Sequence, residues 1–322
     1  ESGHYSDTMS GYFLPVGLLL AFLLAWVSPE TGTTLQRMGL IPWMVVAIFL
    51  VNGYQTVMSQ IPLSGKLWTT ALIAILINLL ISPFLGLAIA GLLALPVGAA
   101  LGLIVTATVP STLSSGIVMT QLAEGDGVKA LFLTILLNLL GVFTIPLLLP
   151  VVLENVGSLE ISHWPLLKQL LIIVLIPFVL GMLGRRVIQL PPRHWLIRYL
   201  PSGCVIITVW MSVSASSDTL KEISLTLIGS MLLAAMLLHG ALLLLCLGSR
   251  RIYQPERPEW IALLFIASQK TLPVAVGVLA ALNQPIGVAL VACILFHFLQ
   301  LFVDSIIAAR LARSTVEADP VG

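Results

Sequence analysis

The sequence has very little charge. Only 9% of its 322 residues are Asp, Glu, Lys or Arg, whereas soluble domains contain about 25%. Another 58% are hydrophobic, and a soluble protein of this composition could not cover its surface with polar groups. The formal net charge of +1 lacks the basic excess that nucleic-acid binding requires. We therefore predict that the lipid bilayer is the solvent of most of the chain, and that nucleic acid is not a partner.

Cysteine is scarce as well. Cys204, Cys246 and Cys293 lie in apolar segments and form no CxxC or Cys/His cluster, so we expect buried small side chains and no disulfide or metal framework. The reactive patterns GxSxG and HExxH are absent, and Ser114 and Ser115 have no histidine partner visible in the sequence. These absences argue against an enzyme and predict no cofactor.

Long apolar runs dominate the chain. A spanning helix needs roughly 20 mostly apolar residues, and ten segments qualify, near 11–28, 40–59, 67–90, 97–121, 128–152, 165–188, 196–215, 223–248, 260–281 and 285–309. With a cytoplasmic N-terminus, eleven basic residues fall in inside loops and three, Arg37, Lys168 and Lys221, fall outside. This bias predicts ten spans with both termini cytoplasmic. We expect the membrane to be the plasma (inner) membrane of a bacterium.

The predicted fold is an all-α membrane protein built from two halves. Residues 11–152 form a first repeat of five helices, residues 165–309 form a second, and residues 310–322 form a cytoplasmic tail. Because five is odd, the second half is inverted relative to the first. The polar residues 1–10 are expected to be an N-terminal tail, and Met9 could be the native start with foreign residues before it.

Two of the ten spans are interrupted by polar residues and proline. The fourth contains Thr108–Gly116, and the ninth contains Ala267–Pro273. They occupy corresponding positions in the two halves, which is the best sequence indication of a transporter binding site. The alternative is purely structural: two proline kinks whose freed backbone groups bind neighbouring hydroxyls. A break frees backbone groups that lipid cannot satisfy, so each break must face protein or a wet cavity.

Lys270 lies in the second break and is the single residue that most strongly indicates a function. A lysine at bilayer depth is costly unless it is paired or solvated. It could replace a transported cation, bind an anionic group of a substrate, or carry a proton. It could also form a structural ion pair with Asp304, the only acid deep within a span, although we expect Asp304 near the cytoplasmic interface.

Polar residues elsewhere in the spans complete the candidate site. Thr134 and Asn138 share one helical face, and such amides and hydroxyls either bind ions and substrates or hold helices together. His239 and His297 are expected to be packed and neutral. The candidate substrate- or ion-binding residues are Asn78, Ser111, Thr112, Ser114, Ser115, Thr134, Asn138, Ser268, Gln269, Lys270 and Thr271. A Na⁺ site, if present, would draw on Asn78, Ser115, Thr134 and Gln269.

These motifs resemble those of the bile-acid:sodium symporter (SBF-like) family, solute carrier family ten in animals. The family's fourth span carries PGGTASNVx(S/T), and residues 110–120 here read PSTLSSGIVMT, followed by Gly125 and Asp126. The family has ETGxQNSG in its ninth span, where Gln269 matches the glutamine. Asn78 stands five residues before Pro83, as a glutamine does in the family. The ninth-span motif that contains Lys270 resembles the motif of the family's member-seven branch and its bacterial relatives.

The resemblance covers residues 11–310 and implies a panel domain and a core domain in which the fourth and ninth helices cross. It also implies a small or amphipathic organic anion as substrate, often with two Na⁺. This chain departs from the pattern at Phe265, Ala130 and Gly116 and adds the ammonium of Lys270. Losing a carboxylate and gaining an ammonium makes two Na⁺ electrostatically unfavourable there.

The predicted function is secondary active transport of an organic anion by alternating access. Coupling to Na⁺, coupling to protons and uncoupled transport all stay open, and we favour a mode in which Lys270 supplies the charge of a coupling cation. The sequence is also compatible with a channel, or with a membrane regulator that binds a ligand without moving it. Substrate identity and oligomeric state are not defined by the sequence.

Overall fold

The computed structural model describes residues 2–56, 65–112, 115–154, 163–191, 194–282 and 286–318. The described residues are helical with short connections and contain no β-strand. The helices are α1 Ser2–Val27, α2 Pro29–Arg37, α3 Ile41–Gln55, α4 Gly65–Ile75, α5 Ser82–Leu92, α6 Val97–Thr108, α7 Ser115–Leu122, α8 Gly127–Leu153, α9 His163–Leu170, α10 Ile176–Val187, α11 Trp195–Ala215, α12 Ser217–Lys221, α13 Leu225–Tyr253, α14 Arg257–Ser268, α15 Leu272–Ala281 and α16 Gly287–Ala318.

All ten predicted segments are helical over most of their length. Six stretches are long and apolar enough to cross a membrane, and a seventh is added if the pair α1 and α2, bent by 101°, counts as one span. Three shorter apolar helices, Ile41–Gln55, Val97–Thr108 and Tyr199–Ala215, lie at the positions of the other predicted spans. The chain is thus an integral, multi-pass, all-helical membrane protein.

The helix ends differ from the prediction at both termini. α1 begins at Ser2 and therefore includes most of the predicted tail, and α16 continues to Ala318, beyond the predicted end near residue 309. The hydropathy pattern did not indicate α2, which follows α1 at a sharp bend. A window that averages hydropathy over a full span cannot detect a nine-residue helix beginning with Pro29 and Glu30.

Two spans contain a π-helical turn directly before a proline. One turn, Leu76–Ile81, joins α4 to α5 ahead of Pro83, and the other, Leu171–Leu175, joins α9 to α10 ahead of Pro177. Proline has no N–H to continue the α-helical pattern, and a π turn is one way to shift the hydrogen-bond register around it. The first of these turns shapes the site described below.

Small residues allow helices to approach closely. α3 packs on α10, where a Cβ at Gly53 would overlap the backbone of Phe178, and a Cβ at Gly181 would overlap the backbone of Leu50. Close backbone approach at small residues is typical of helix pairs in membranes. α6 packs on α16, and α14 packs on α7 and α8. This arrangement places both interrupted spans in the interior, and 94% of the most apolar window of Arg257–Ala281 is buried.

Candidate functional site

The two breaks touch each other. α6 ends at Thr108 and α14 ends at Ser268, and the following residues, Val109 and Gln269, are both extended with ψ near 154° and 153°. The backbone N–H of Thr271 in the second break donates to the carbonyl of Pro110 in the first at 3.0 Å. Buried residues on both sides surround this contact, so the polar backbone of each break is satisfied by protein.

The first break presents free carbonyl oxygens. The last four carbonyls of a helix lack intrahelical partners, and α6 ends where Pro110 has no N–H to donate. The carbonyls of Ala107 and Val109 therefore point to groups outside α6.

Asn78 supplies a third free carbonyl because it lies in the first π turn. The N–H of Ser82 donates to Ile77, five residues back, rather than to Asn78. In the π register the donor for Asn78 would be Pro83, which has no N–H. The main-chain oxygen of Asn78 is thus released from the helix by this local sequence.

Lys270 binds all three of these carbonyls. Its side chain is 1% exposed, and Nζ donates to the oxygens of Asn78 at 2.5 Å, Ala107 at 2.8 Å and Val109 at 3.0 Å. An ammonium has three N–H donors, so every donor is used. An ion pair between Lys270 and Asp304 is not what the structure shows, because the lysine is held by backbone oxygens.

Side chains of two other helical segments form hydrogen bonds to the backbone of the second break. The side-chain amide of Asn78 donates to the carbonyls of Ala267 and Gln269 at 2.9 and 3.0 Å. Gln300 on α16 accepts from the backbone N–H of Lys270 at 2.9 Å and donates to its carbonyl at 2.8 Å. The main-chain groups on either side of the lysine therefore have partners.

Gln269 links the second break to the hydroxyls of the first. Its Oε1 accepts from Thr112 Oγ1 at 2.7 Å and lies 2.8 Å from Ser115 Oγ. Ser115 Oγ is also 2.8 Å from Thr112 Oγ1 and can donate to only one of the two oxygens. The amide oxygen of Gln269 thus has at least one hydroxyl donor, and the amide nitrogen donates to Asp304 at 2.7 Å.

Asp304 is enclosed by protein, and its distance from the cytoplasmic interface stays a prediction. It is fully buried, and its second oxygen is 2.9 Å from Nε2 of the buried His239. The expectation that His239 is merely packed missed this pairing. On α16, residues 297, 300 and 304 share one face, and that spacing was the available signal. The partner on α13 lies 65 residues away and had no local signal.

The other predicted residues occupy varied positions. Asn138 donates to the carbonyls of Ser111 and Thr134 at 3.0 and 2.9 Å, and so fastens the first break to α8. Among the described residues, the hydroxyls of Ser111 and Thr134 and the Oδ1 atom of Asn78 are buried without a hydrogen-bond partner. Ser268 donates within α14 to Leu264 and so does not reach the other candidates. Ser114 lies outside the described residues.

The fold and its buried polar centre define a multi-pass membrane protein with two interrupted helices in contact. The family model of the SBF-like CPA transporter family matches residues 12–313, and the chain belongs to that family. This confirms the predicted family and the prediction that the protein is a transporter and not an enzyme.

Several curated proteins are similar to this chain. A probable chloroplast sodium/metabolite cotransporter from rice, BASS4, is 28% identical over 313 residues, which cover 92% of this chain and 74% of the rice protein. An uncharacterized protein of Pseudomonas aeruginosa is 27% identical and covers 95% of this chain and 96% of its own. A putative symporter of Escherichia coli is 24% identical with 92% of each chain covered.

Proposed function

We propose that this protein is a secondary active transporter that carries a small or amphipathic organic anion by alternating access. The observation that carries the proposal is the buried ammonium of Lys270 at the contact between two helix breaks. A fixed positive charge in a low-dielectric interior attracts an anion strongly. The names of the rice and E. coli relatives, a cotransporter and a symporter, support the same class.

The architecture that fits this function is ten spans in two inverted repeats of five. α6 with α7 would be the interrupted fourth span, and α14 with α15 the interrupted ninth, crossing in a core domain that moves against a panel domain. The helices at all ten predicted segments and the matching 12-residue half-helices α6 and α14 support it. The basic residues then favour cytoplasmic termini, and the bacterial relatives favour a bacterial inner membrane.

Lys270 acts in this proposal as a resident cation. Three backbone carbonyls are the kind of ligand that a hard cation such as Na⁺ takes, and here they hold an ammonium instead. A direct ion pair with the substrate would require Nζ to give up one of these bonds. The lysine therefore works through its charge and through the geometry that it imposes on the breaks.

Coupling to Na⁺ is testable at the same site. The unpaired oxygens of Asn78, Ser111 and Thr134 are neutral donors of the type that Na⁺ accepts, and the rice relative is named a probable sodium/metabolite cotransporter. In this proposal the ammonium already fills one cation position, so at most a single Na⁺ would accompany the substrate.

The first experiment is a thermal-shift screen of the purified protein against organic anions, with and without Na⁺. A ligand at 100 times its Kd stabilises the folded state by about 2.7 kcal/mol. We expect carboxylates to raise the melting temperature of the wild type. Lys270→Ala should abolish this shift in choline buffer, and Na⁺ should restore part of it by entering the vacated carbonyl ring. Lys221→Ala, at an exposed lysine, serves as the matched control.

Two results would contradict the proposal. If Lys270→Ala binds the same anions as tightly as the wild type, the ammonium does not provide the charge. If the wild type in proteoliposomes moves the identified anion without saturation or counterflow, the protein is a channel rather than a carrier.

A further inference from the structure

A buried acid and a buried histidine form a pair beside the two breaks. Asp304 Oδ1 on α16 lies 2.9 Å from His239 Nε2 on α13, and the two side chains are 0% and 1% exposed. The His239 ring packs edge-on against Phe296 with centroids 6.0 Å apart. Ionisable side chains inside a membrane are rare and are usually functional, and the transport role of Lys270 leaves this pair unexplained.

The formal charges of the interior balance only when His239 is neutral. Lys270 and Asp304 are buried, and among the described residues the other buried acidic, Lys or Arg side chain is Glu259, which binds Lys129 at 2.7 Å. With Lys270 as an ammonium and Asp304 as a carboxylate, the formal charges of the two sum to zero. An anion that enters this interior adds one uncompensated negative charge, which is costly at low dielectric.

His239 has a vacant position for a proton. A neutral imidazole that donates from Nε2 to a carboxylate keeps a lone pair on Nδ1. That nitrogen is buried and has no hydrogen-bond partner among the described residues. A proton added to the pair can reside on the imidazole or on the carboxyl group, and in either case the pair gains one positive charge.

The pair is connected to both breaks through Gln269. Asp304 Oδ2 accepts from the Gln269 amide at 2.7 Å, and the amide oxygen accepts from Thr112 in the first break. A hydrogen bond to an ionised carboxylate is roughly twice as strong as one to a neutral group. Charge on Asp304 therefore tightens the link between α16 and the second break, and its neutralisation loosens that link.

We propose that the Asp304–His239 pair is a proton-binding site that takes up one proton with each monovalent anion, so that the protein is a proton–anion symporter. The proposal deepens the transport function above and rests on it. A proton leaves water on the loading side, joins the pair, and returns to water on the other side. The bound anion and the bound proton leave the formal charge of the interior at zero.

Few other groups can take part in this titration. Lys270 follows Gln269 in the second break, and Cys246 and His297 lie seven residues from His239 and Asp304 on α13 and α16. The packed helices α5, α6, α7 and α15 contain no titratable residue. The remaining titratable residues of α13 and α16 and of the helices packed on them are Arg198, Tyr199, Cys204, Asp218, Lys221, Arg250, Arg251, Tyr253, Arg257, Glu259, Cys293, Arg310, Arg313 and Glu317.

The charged residues of this set gather mainly at one end of the bundle. Arg257 donates to the carbonyl of Leu311, and the guanidinium of Arg250 lies over the ring of Trp260. Asp304 lies seven residues before Leu311, about 10 Å along α16. The pair is thus set apart from the other charges while remaining near the basic end, from which a proton could enter.

The test is proton uptake by purified protein, with the proton itself as the probe. Infrared difference spectra between about pH 5 and pH 9 cover the range in which histidine usually titrates and report protonated carboxyl groups directly. We expect a buried carboxyl or imidazolium signal that is shifted or lost in Asp304→Asn and in His239→Gln and is absent from the double variant. Asp218→Asn, at an exposed aspartate, should retain it. If the signal is unchanged in Asp304→Asn, the assignment of the site is overturned.

A flux experiment separates this proposal from the transport function. A radiolabelled carboxylate, including an amphipathic one such as cholate, is added outside proteoliposomes, and the pH inside and outside is varied. The proposal expects uptake that an inward proton gradient accelerates in the wild type but not in Asp304→Asn. Saturable uptake with no response to the gradient would reject proton coupling and leave the carrier intact. A titrating pair without any flux of these probes would reject transport of them and leave the proton site intact.

Discussion

The two breaks have similar backbones and opposite chemistry. Each follows a 12-residue half-helix, and each begins with an extended residue. The main-chain oxygens of the first break accept from the ammonium and a backbone N–H of the second. In the other direction, the Thr112 hydroxyl of the first break donates to the amide oxygen of Gln269 in the second. The two breaks thus have similar backbones and stabilise each other through different side chains.

Removing the ammonium of Lys270 should have the largest effect on the stability of the contact between the two breaks. Lys270→Met leaves three buried carbonyls without a donor and leaves Asp304 as an uncompensated negative charge, so we expect a loss of about 4 kcal/mol of stability. Thermal unfolding in detergent, followed with a thiol-reactive dye, measures it, because all three cysteines are buried in the fold.

The control for this variant is Lys221→Met at a lysine whose side chain is 54% exposed. It should melt close to the wild type, since exposed ion pairs contribute little. Equal melting temperatures for the two variants would mean that the carbonyls of the first break find other partners. The ammonium would then not stabilise the contact between the two breaks.

The sequence was sufficient for the long apolar helices and for the positions of both breaks, because apolar runs and proline report directly on these features, but it did not indicate α2 or the outer ends of α1 and α16. It did not indicate the partners of Lys270. The ammonium binds main-chain oxygens, and every residue type carries that oxygen, so no side-chain pattern identifies it. The link between His239 and Asp304 depends on how α13 packs on α16, which is a property of the tertiary structure.

Hydrogen bonds from side chains to the backbone should stabilise the second break more than the first. Gln300 bonds both main-chain groups of Lys270 in the second break, whereas Asn138 bonds one carbonyl, that of Ser111, in the first. Gln300→Leu leaves a buried N–H and C=O unpaired, and we expect a loss of about 2 kcal/mol or more. Asn138→Leu should cost roughly 1 kcal/mol.

The same unfolding assay compares the pair, with Gln121→Leu at an exposed glutamine as the control. Both site variants exchange an amide for an apolar side chain. The difference between them reports the extra main-chain bond of Gln300 together with its contact to His297, set against the bond of Asn138 to Thr134. A larger loss for Asn138→Leu than for Gln300→Leu would show that the first break is the more tightly held of the two.

The smallest expected effect concerns the hydroxyls between the breaks. Ser115→Ala removes one hydroxyl near Gln269, but Thr112 still donates to the same amide oxygen. Single side-chain hydrogen bonds between membrane helices average about 0.6 kcal/mol, and we expect a loss no greater than this. Ser82→Ala is the informative comparison, because the Ser82 hydroxyl is more deeply buried but has no hydrogen-bond partner. An unpaired buried hydroxyl destabilises the fold, so its removal should be neutral or stabilising. If Ser82→Ala is instead the more harmful change, the Ser82 hydroxyl has a partner in the membrane, and the polar centre extends beyond the two breaks towards α5.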